Sequence, residues 1–286
     1  MTTENLKSWS EYRSEIREFD AILEYAKAVS NALIGKTSPS PSASYAEQIF
    51  VKALSHCIVV RQLAPDPSRK RPSELWDVPS ISAVARCVID AHDAFFYIGA
   101  LGCTAEEAAF RQLLWEAHDK TRRARMLRAI GSSDSRNPKL FAEENELLAK
   151  LMKHPLFATI RKELQKSVAR GDPPAYHLSQ KEICAAASVD HDYYIAVTMQ
   201  LSQHVHTYPF SVRQLFAFRA GALESLRLMA LPVQYTIPFL TRMTEGMRDH
   251  FPGFIPEPPS RTARAMAVWR EISTAGIKNM SMSTHI

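Results

Sequence analysis

Two short groupings set ionisable side chains into otherwise apolar, helix-forming stretches. Arg86, Asp90 and His92 stand in Arg-Cys-Val-Ile-Asp-Ala-His (86–92), and Ser202, His204 and His206 in Leu-Ser-Gln-His-Val-His (201–206). Charges are costly to bury without partners, so these residues are expected to meet one another, and their meeting point is the expected site. Arg86 and Asp90 lie one helical turn apart. A guanidinium held by Asp90 can take a phosphate or carboxylate bidentately. His206, placed by the pattern at a helix end, offers an imidazole suited to general acid–base work near neutrality. Ser202 lies one turn before it, and Tyr194 two turns behind Ser202. His204 points away, because two residues rotate a helix by about 200°. The expected catalytic residues are Arg86, His92 and His206, with Asp90, Tyr194 and Ser202 binding or orienting. A purely architectural reading stands beside this one: Arg86–Asp90 as an ion pair on a partly wetted face, and His206 as a hydrogen-bonded helix terminus.

Other chemistries lack their residues. The chain has no Glu-x-x-His pair for a di-iron bundle. His204-x-His206 alone supplies too few ligands for zinc. Neither a Gly-rich phosphate loop nor a Gly-x-Ser-x-Gly elbow occurs. No metal and no cofactor are expected. Arg122, Arg123, Arg125 and Arg128 close a helix that opens with acids, which suits the helix dipole; an RNA-binding patch is the sharper reading of the same residues. The net charge of +5 permits nucleic-acid binding without requiring it.

The elements that must position these groups are helical. Of 286 residues only 9 are glycine, and no alternating run of β-branched residues appears between tight turns, so the expected fold is all-α, a multi-helix bundle with an antiparallel core. Capping boxes are expected at Ser8/Glu11, Ser44/Glu47, Thr104/Glu107 and Ser179/Glu182, and first-turn prolines at Pro138 and Pro155. The pattern predicts helices near 8–33, 45–63, 80–100, 104–129, 138–153, 155–169, 179–187, 190–206, 211–248 and 260–274. Pro232 and Pro238 should kink or break the 211–248 stretch. The segments 35–44 and 64–79 read as loops, the second carrying the basic triplet Arg69-Lys70-Arg71. The division expected is an N-terminal helix and loop (1–44), a helical core carrying the polar site (45–215) and a C-terminal helical extension packed on that core (216–286). Four widely spaced cysteines read as thiols in a reducing compartment. With no apolar run of the ~18–20 residues that span a bilayer and no secretion-signal order at the start, cytoplasmic residence without membrane association is expected.

The order Arg-x-x-x-acid on one helix and Tyr…Leu-Ser-x-x-Val-His on a later one resembles a family of bacterial all-helical proteins of unknown function, over about residues 45–215. The resemblance implies Arg86, Asp90, Tyr194, Ser202 and His206 as its shared polar positions; Thr207 and Tyr208 after His206 would alter the mouth of a pocket. More distantly, Arg86 and His92 resemble the Arg-x(4–6)-His pattern of HEPN domains. Many of those are metal-independent ribonucleases of toxin–antitoxin and anti-phage systems, in which the arginine neutralises the scissile phosphate and the histidine moves protons. Cys87 stands where a polar Asn or Asp is common. Arg86 and His92 also lie about 120° apart on a regular helix, so they would share a site only across a dimer or at a bend.

Two functions from different classes follow. One is an HEPN-like, RNA-cleaving or nucleotide-acting homodimeric effector with an antitoxin-like protein partner. The other is a non-catalytic helical binding or structural module whose polar network only fixes helix packing.

Overall fold

The computed structural model describes residues 6, 8–66, 76–99 and 101–280; the triplet Arg69-Lys70-Arg71 lies outside them. Among the described residues are eleven α-helices, one 3₁₀ turn at Pro155–Ala158 and no strand, so the fold is all-α as the patterning requires. Three of the four expected hydroxyl caps form, one of them as a reciprocal box. Ser8 accepts from the Glu11 amide and Thr104 from the Glu107 amide. Ser179 and Glu182 cap reciprocally, the Glu182 amide donating to the Ser179 hydroxyl and the Ser179 amide to the Glu182 carboxylate. The fourth start moves upstream. Ser40, not Ser44, caps the second helix, because Pro41 supplies a pre-set first-turn φ with no amide to satisfy.

Packing divides the chain into two compact units, Met1–Phe96 with Ile183–Ile286, and Tyr97–Glu182. This differs from the expected division at 44/45 and 215/216. The C-terminal helices are not an extension; they hold the centre of the first unit. That unit contains α1 (Trp9–Ala32), α2 (Pro41–Leu63) and most of α3 (Val78–Gly99) from the N-terminal half. From the C-terminal half come α8 (His191–Val205), α9 (Pro209–Ala217), α10 (Leu223–His250) and α11 (Ser260–Met280). Helix α10 is buried around nearly its whole circumference over its middle turns, where apolar residues dominate, and packs on α1, α2 and α11. It runs unbroken through Pro232 and Pro238; the interruption in the 211–248 stretch falls at 218–222, upstream of both prolines. Burial on three neighbours outweighs the roughly 3 kcal/mol that an interior proline costs. One buried guanidinium ties the ends of this unit together. Arg242 donates to the carbonyls of Ala187 and Ser188 at 2.8 and 2.7 Å and to the hydroxyls of Ser273 and Thr274 on α11 at 2.8 and 2.5 Å. Beside it, Gly276 adopts φ +70°, and a Cβ there would come within 2.8 Å of the Asp190 carboxylate, so only glycine fits.

The second unit holds α4 (Ala105–Ala129), α5 (Asn137–Lys153) and α6 (Lys162–Ala169); α7 (Gln180–Ala186) carries the chain back across the boundary. The expected 155–169 helix is a 3₁₀ turn followed by α6, parted at 159–161. Its core is small, built on Phe110, Leu114, Leu151, Ile160 and Val168. Among the described residues no helix is long and apolar enough to cross a membrane.

Candidate functional site

Helices α3 and α8 do meet, at a contact that joins residues 101 apart in sequence: the Tyr194 hydroxyl donates to Asp93 Oδ2 at 2.6 Å. Asp93 Oδ1 lies 3.3 Å from Nδ1 of His92. Tyr194, Asp93 and His92 are exposed by only 4%, 4% and 1%. The His92 ring is walled by Phe96 and Phe239, with centroids 4.7 and 4.9 Å away, and its Nε2 has no hydrogen-bond partner. Burial pushes this imidazole below its ordinary range, with Asp93 opposing, so near neutrality it is uncharged. Burial, and then the neighbouring Asp93, push the Tyr194 phenol far above its ordinary range, which keeps it a donor to the carboxylate. The result is a closed Tyr–Asp–His chain.

Arg86, Asp90 and Asp93 share one helix stripe by their i, i+4, i+7 spacing, and Arg86 pairs with Asp90. That stripe runs from wet to dry: Asp90 is exposed, Arg86 half-buried and Asp93 buried. An ion pair at the wet end is worth about 0.2–1 kcal/mol.

Ser202 and His206 belong elsewhere. They continue the solvent-facing stripe Ile195–Met199–Ser202–His206, spaced 4, 3 and 4, with Ile195, Met199 and His206 exposed and Ser202 half-buried. Tyr194 sits about 80° around the helix from Ser202, enough to separate a buried phenol from a wetted hydroxyl. His206 is the C-cap of α8, as its position promised. Its ring lies against Tyr208, and Thr207 ends the helix in the left-handed region at φ 53°. No hydrogen bond or ion pair among the described residues links Ser202 or His206 to Arg86 or Asp90. Of the six expected residues, the structure therefore gathers Arg86 with Asp90, and Tyr194 with His92 through Asp93. It leaves Ser202 and His206 apart from them. His204 turns inward as the helical rotation requires, against a small cavity of about 10 Å³ bordered by Ser82, Leu201, Pro232 and Tyr235; burial lowers its pKa too.

The arginines of 122–128 are answered locally. Arg122 and Arg125 reach Asp172 at 3.6 and 3.0 Å, Arg123 reaches Asp119 at 3.5 Å, and Arg128 reaches Glu144 at 2.6 Å while covering the Phe141 ring. The sequence reading missed a second polar centre, in Tyr97–Glu182. There Arg111, buried, donates to Glu107 and to the Tyr97 carbonyl and lies over the Tyr97 ring. The Tyr97 hydroxyl bonds Nδ1 of His177 at 2.8 Å. A cavity of about 320 Å³ opens beside it, bordered by Glu107, Phe110, Ile160, Arg161, His177 and Glu182. Burial, then Arg111, lower the His177 pKa. The available signals were Arg111 four residues after Glu107, and Tyr176-His177 closing a proline-rich turn. Among the described residues no group of three or more His, Cys, Asp or Glu could hold a metal ion.

No family model, curated protein or solved structure matches the chain.

Proposed function

We propose that this protein is a non-catalytic helical module, and that the polar groups of α3 and α8 fix the register of the two helices rather than perform chemistry. The observation that carries the reading is the closure of the His92–Asp93–Tyr194 chain. An imidazole exposed by 1% between two phenylalanines cannot reach a phosphodiester, and the phenol and carboxylate beside it satisfy each other. Buried polar groups bonded to one another in this way specify packing, and the nitrogen left over, His92 Nε2, is itself sealed from solvent. His206 stays solvent-accessible, and among the described residues no arginine or carboxylate is bonded to it, so the arrangement does not supply the paired phosphate binder and proton carrier that the ribonuclease alternative requires.

The test uses the full-length chain with single-stranded RNA, and Arg86→Ala, His206→Ala and Tyr194→Phe variants. No cleavage above a protein-free control is expected. Tyr194→Phe should lose about 1.5–3 kcal/mol of stability, the worth of a buried hydrogen bond to a carboxylate, seen as a melting temperature lower by roughly 3–12 °C. RNA cleavage that falls tenfold or more in Arg86→Ala or His206→Ala at unchanged melting temperature would overturn the reading in favour of the effector.

A further inference from the structure

The unit formed by Met1–Phe96 and Ile183–Ile286 leaves one region of its surface apolar. In α9 only Ser211 is buried among the residues whose side chains are described, and the contacts of this helix run chiefly to α8. Met199, Tyr208, Phe210, Val212, Leu215 and Phe216 are all exposed, Phe216 by 78% and Met199 by 60%. With aromatic side chains of about 150–250 Å² each, these six together with Ile195 and Val205 carry roughly 700 Å² of apolar surface, Val212, Leu215 and Phe216 sharing one side of α9 within about 100° and Phe210 standing on its other flank. A monomer's largest apolar patch is about 300–600 Å², whereas one side of a standard protein interface is about 800 Å².

The composition says what kind of surface covers it. From Tyr193 to Leu223 the sequence contains no Asp, Glu or Lys; its formally charged side chains are Arg213 and Arg219. Aromatic residues, methionine and arginine with the other charges excluded are the signature of an interface core. An anionic lipid surface gains about 1 kcal/mol per basic side chain. Two arginines give it little hold, and Arg219 already donates to the Phe216 and Phe218 carbonyls. Exposed Ile195 and Met199, half-buried Ser202 and the exposed C-cap His206 repeat at the 4-3-4 spacing that lets two helices share a seam. The acid nearest this face is Asp192, at the N-terminal end of the α8 stripe three residues before Ile195, so two copies can pair the rest of the seam with the carboxylates at its rim.

We infer that the α8–α9 face is the interface of a homodimer, closed by a second copy of this chain on the same face about a two-fold axis. Sedimentation velocity of the full-length chain from about 0.5 to 100 µM tests it. The wild type should pass from monomer to dimer within that range. The double variant Met199→Asp/Phe216→Asp should raise the dissociation constant at least 100-fold. Because both side chains are solvent-facing in the monomer, its thermal unfolding should match the wild type at concentrations where both are monomeric, and fall below it only where the wild type dimerises. A second measurement does not depend on the variant: hydrogen exchange of wild-type amides 208–217 should slow as concentration rises. A wild type that stays monomeric throughout, an equally dimeric variant, or concentration-independent exchange would each overturn the inference. So would a monomeric wild type that co-sediments with phosphatidylserine-containing vesicles, which would assign the face to lipid.

Discussion

The two units solve the same problem with different materials. In the first, aromatic and aliphatic side chains from both ends of the sequence close on α10, and the charged groups that enter are bonded: Asp93 with Tyr194, Arg242 with five acceptors. In the second, a thin apolar strip between α4 and α5 is flanked by ion pairs, Lys120 with Glu143 and Arg128 with Glu144 among them. The contrast teaches that charged residues in this chain mark two different conditions. Where they are sealed they set geometry, and where they are wet they lend modest, salt-sensitive support.

The largest expected effect that would break the contrast is a cavity in the aromatic unit. Phe239 is fully buried against His92, Tyr193 and Tyr194. Phe239→Ala should destabilise by about 3–5 kcal/mol, and hydrogen exchange should accelerate in 226–250 while 105–153 keep their protection. Uniform acceleration would show that the units do not unfold separately.

A gentler probe is acid. Burial lowers the pKa of His92, His204 and His250, all in the first unit. The unfolded chain therefore binds more protons than the folded one once the pH falls below the ordinary imidazole value of 6.5. Stability is fully present above that pH and is lost as the pH drops toward the depressed folded values. Urea midpoints for the first unit should fall between pH 7.5 and 5.0, and His92→Phe should flatten that dependence. An unchanged slope would mean that His92 takes its proton in the folded state.

The smallest effect sharpens the other side. Lys120→Gln should cost only about 0.2–1 kcal/mol, and that cost should shrink in 1 M salt, as measured by denaturant unfolding of the wild type and variant at both ionic strengths. A larger, salt-independent loss would place Lys120 in a drier setting than its partial exposure implies.

Much of the helical framework could be read before folding. The hydroxyl–acid pairs at Ser8, Thr104 and Ser179 located three helix starts, because capping is a local hydrogen-bonding problem with a local answer. The ends of α8 were likewise legible. Who meets whom was not. Asp93 continues the Arg86–Asp90 stripe by spacing alone, yet it receives Tyr194. His206 was paired with Arg86 on residue type, although the seven residues separating Ile195 from Ser202 commit both Ser202 and His206 to the wet stripe. The role of α10 was hidden too. Two prolines make a helix look interrupted, and only its neighbours reveal that burial carries it through. Arg111, Tyr97 and His177 escaped notice because their meeting spans 80 residues.

The position of α10 in the chain has a consequence during synthesis. Helices α1 and α2 leave the ribosome with their apolar faces finished, but the helix that covers them ends at His250. The whole of Tyr97–Glu182 is made in between, so the emerging N-terminal helices wait uncovered for more than half the length of the protein. Closing so long a loop adds little entropy, since that term grows only with the logarithm of length. The hazard is exposure time: until α10 is made, α1 and α2 have only each other to pack against.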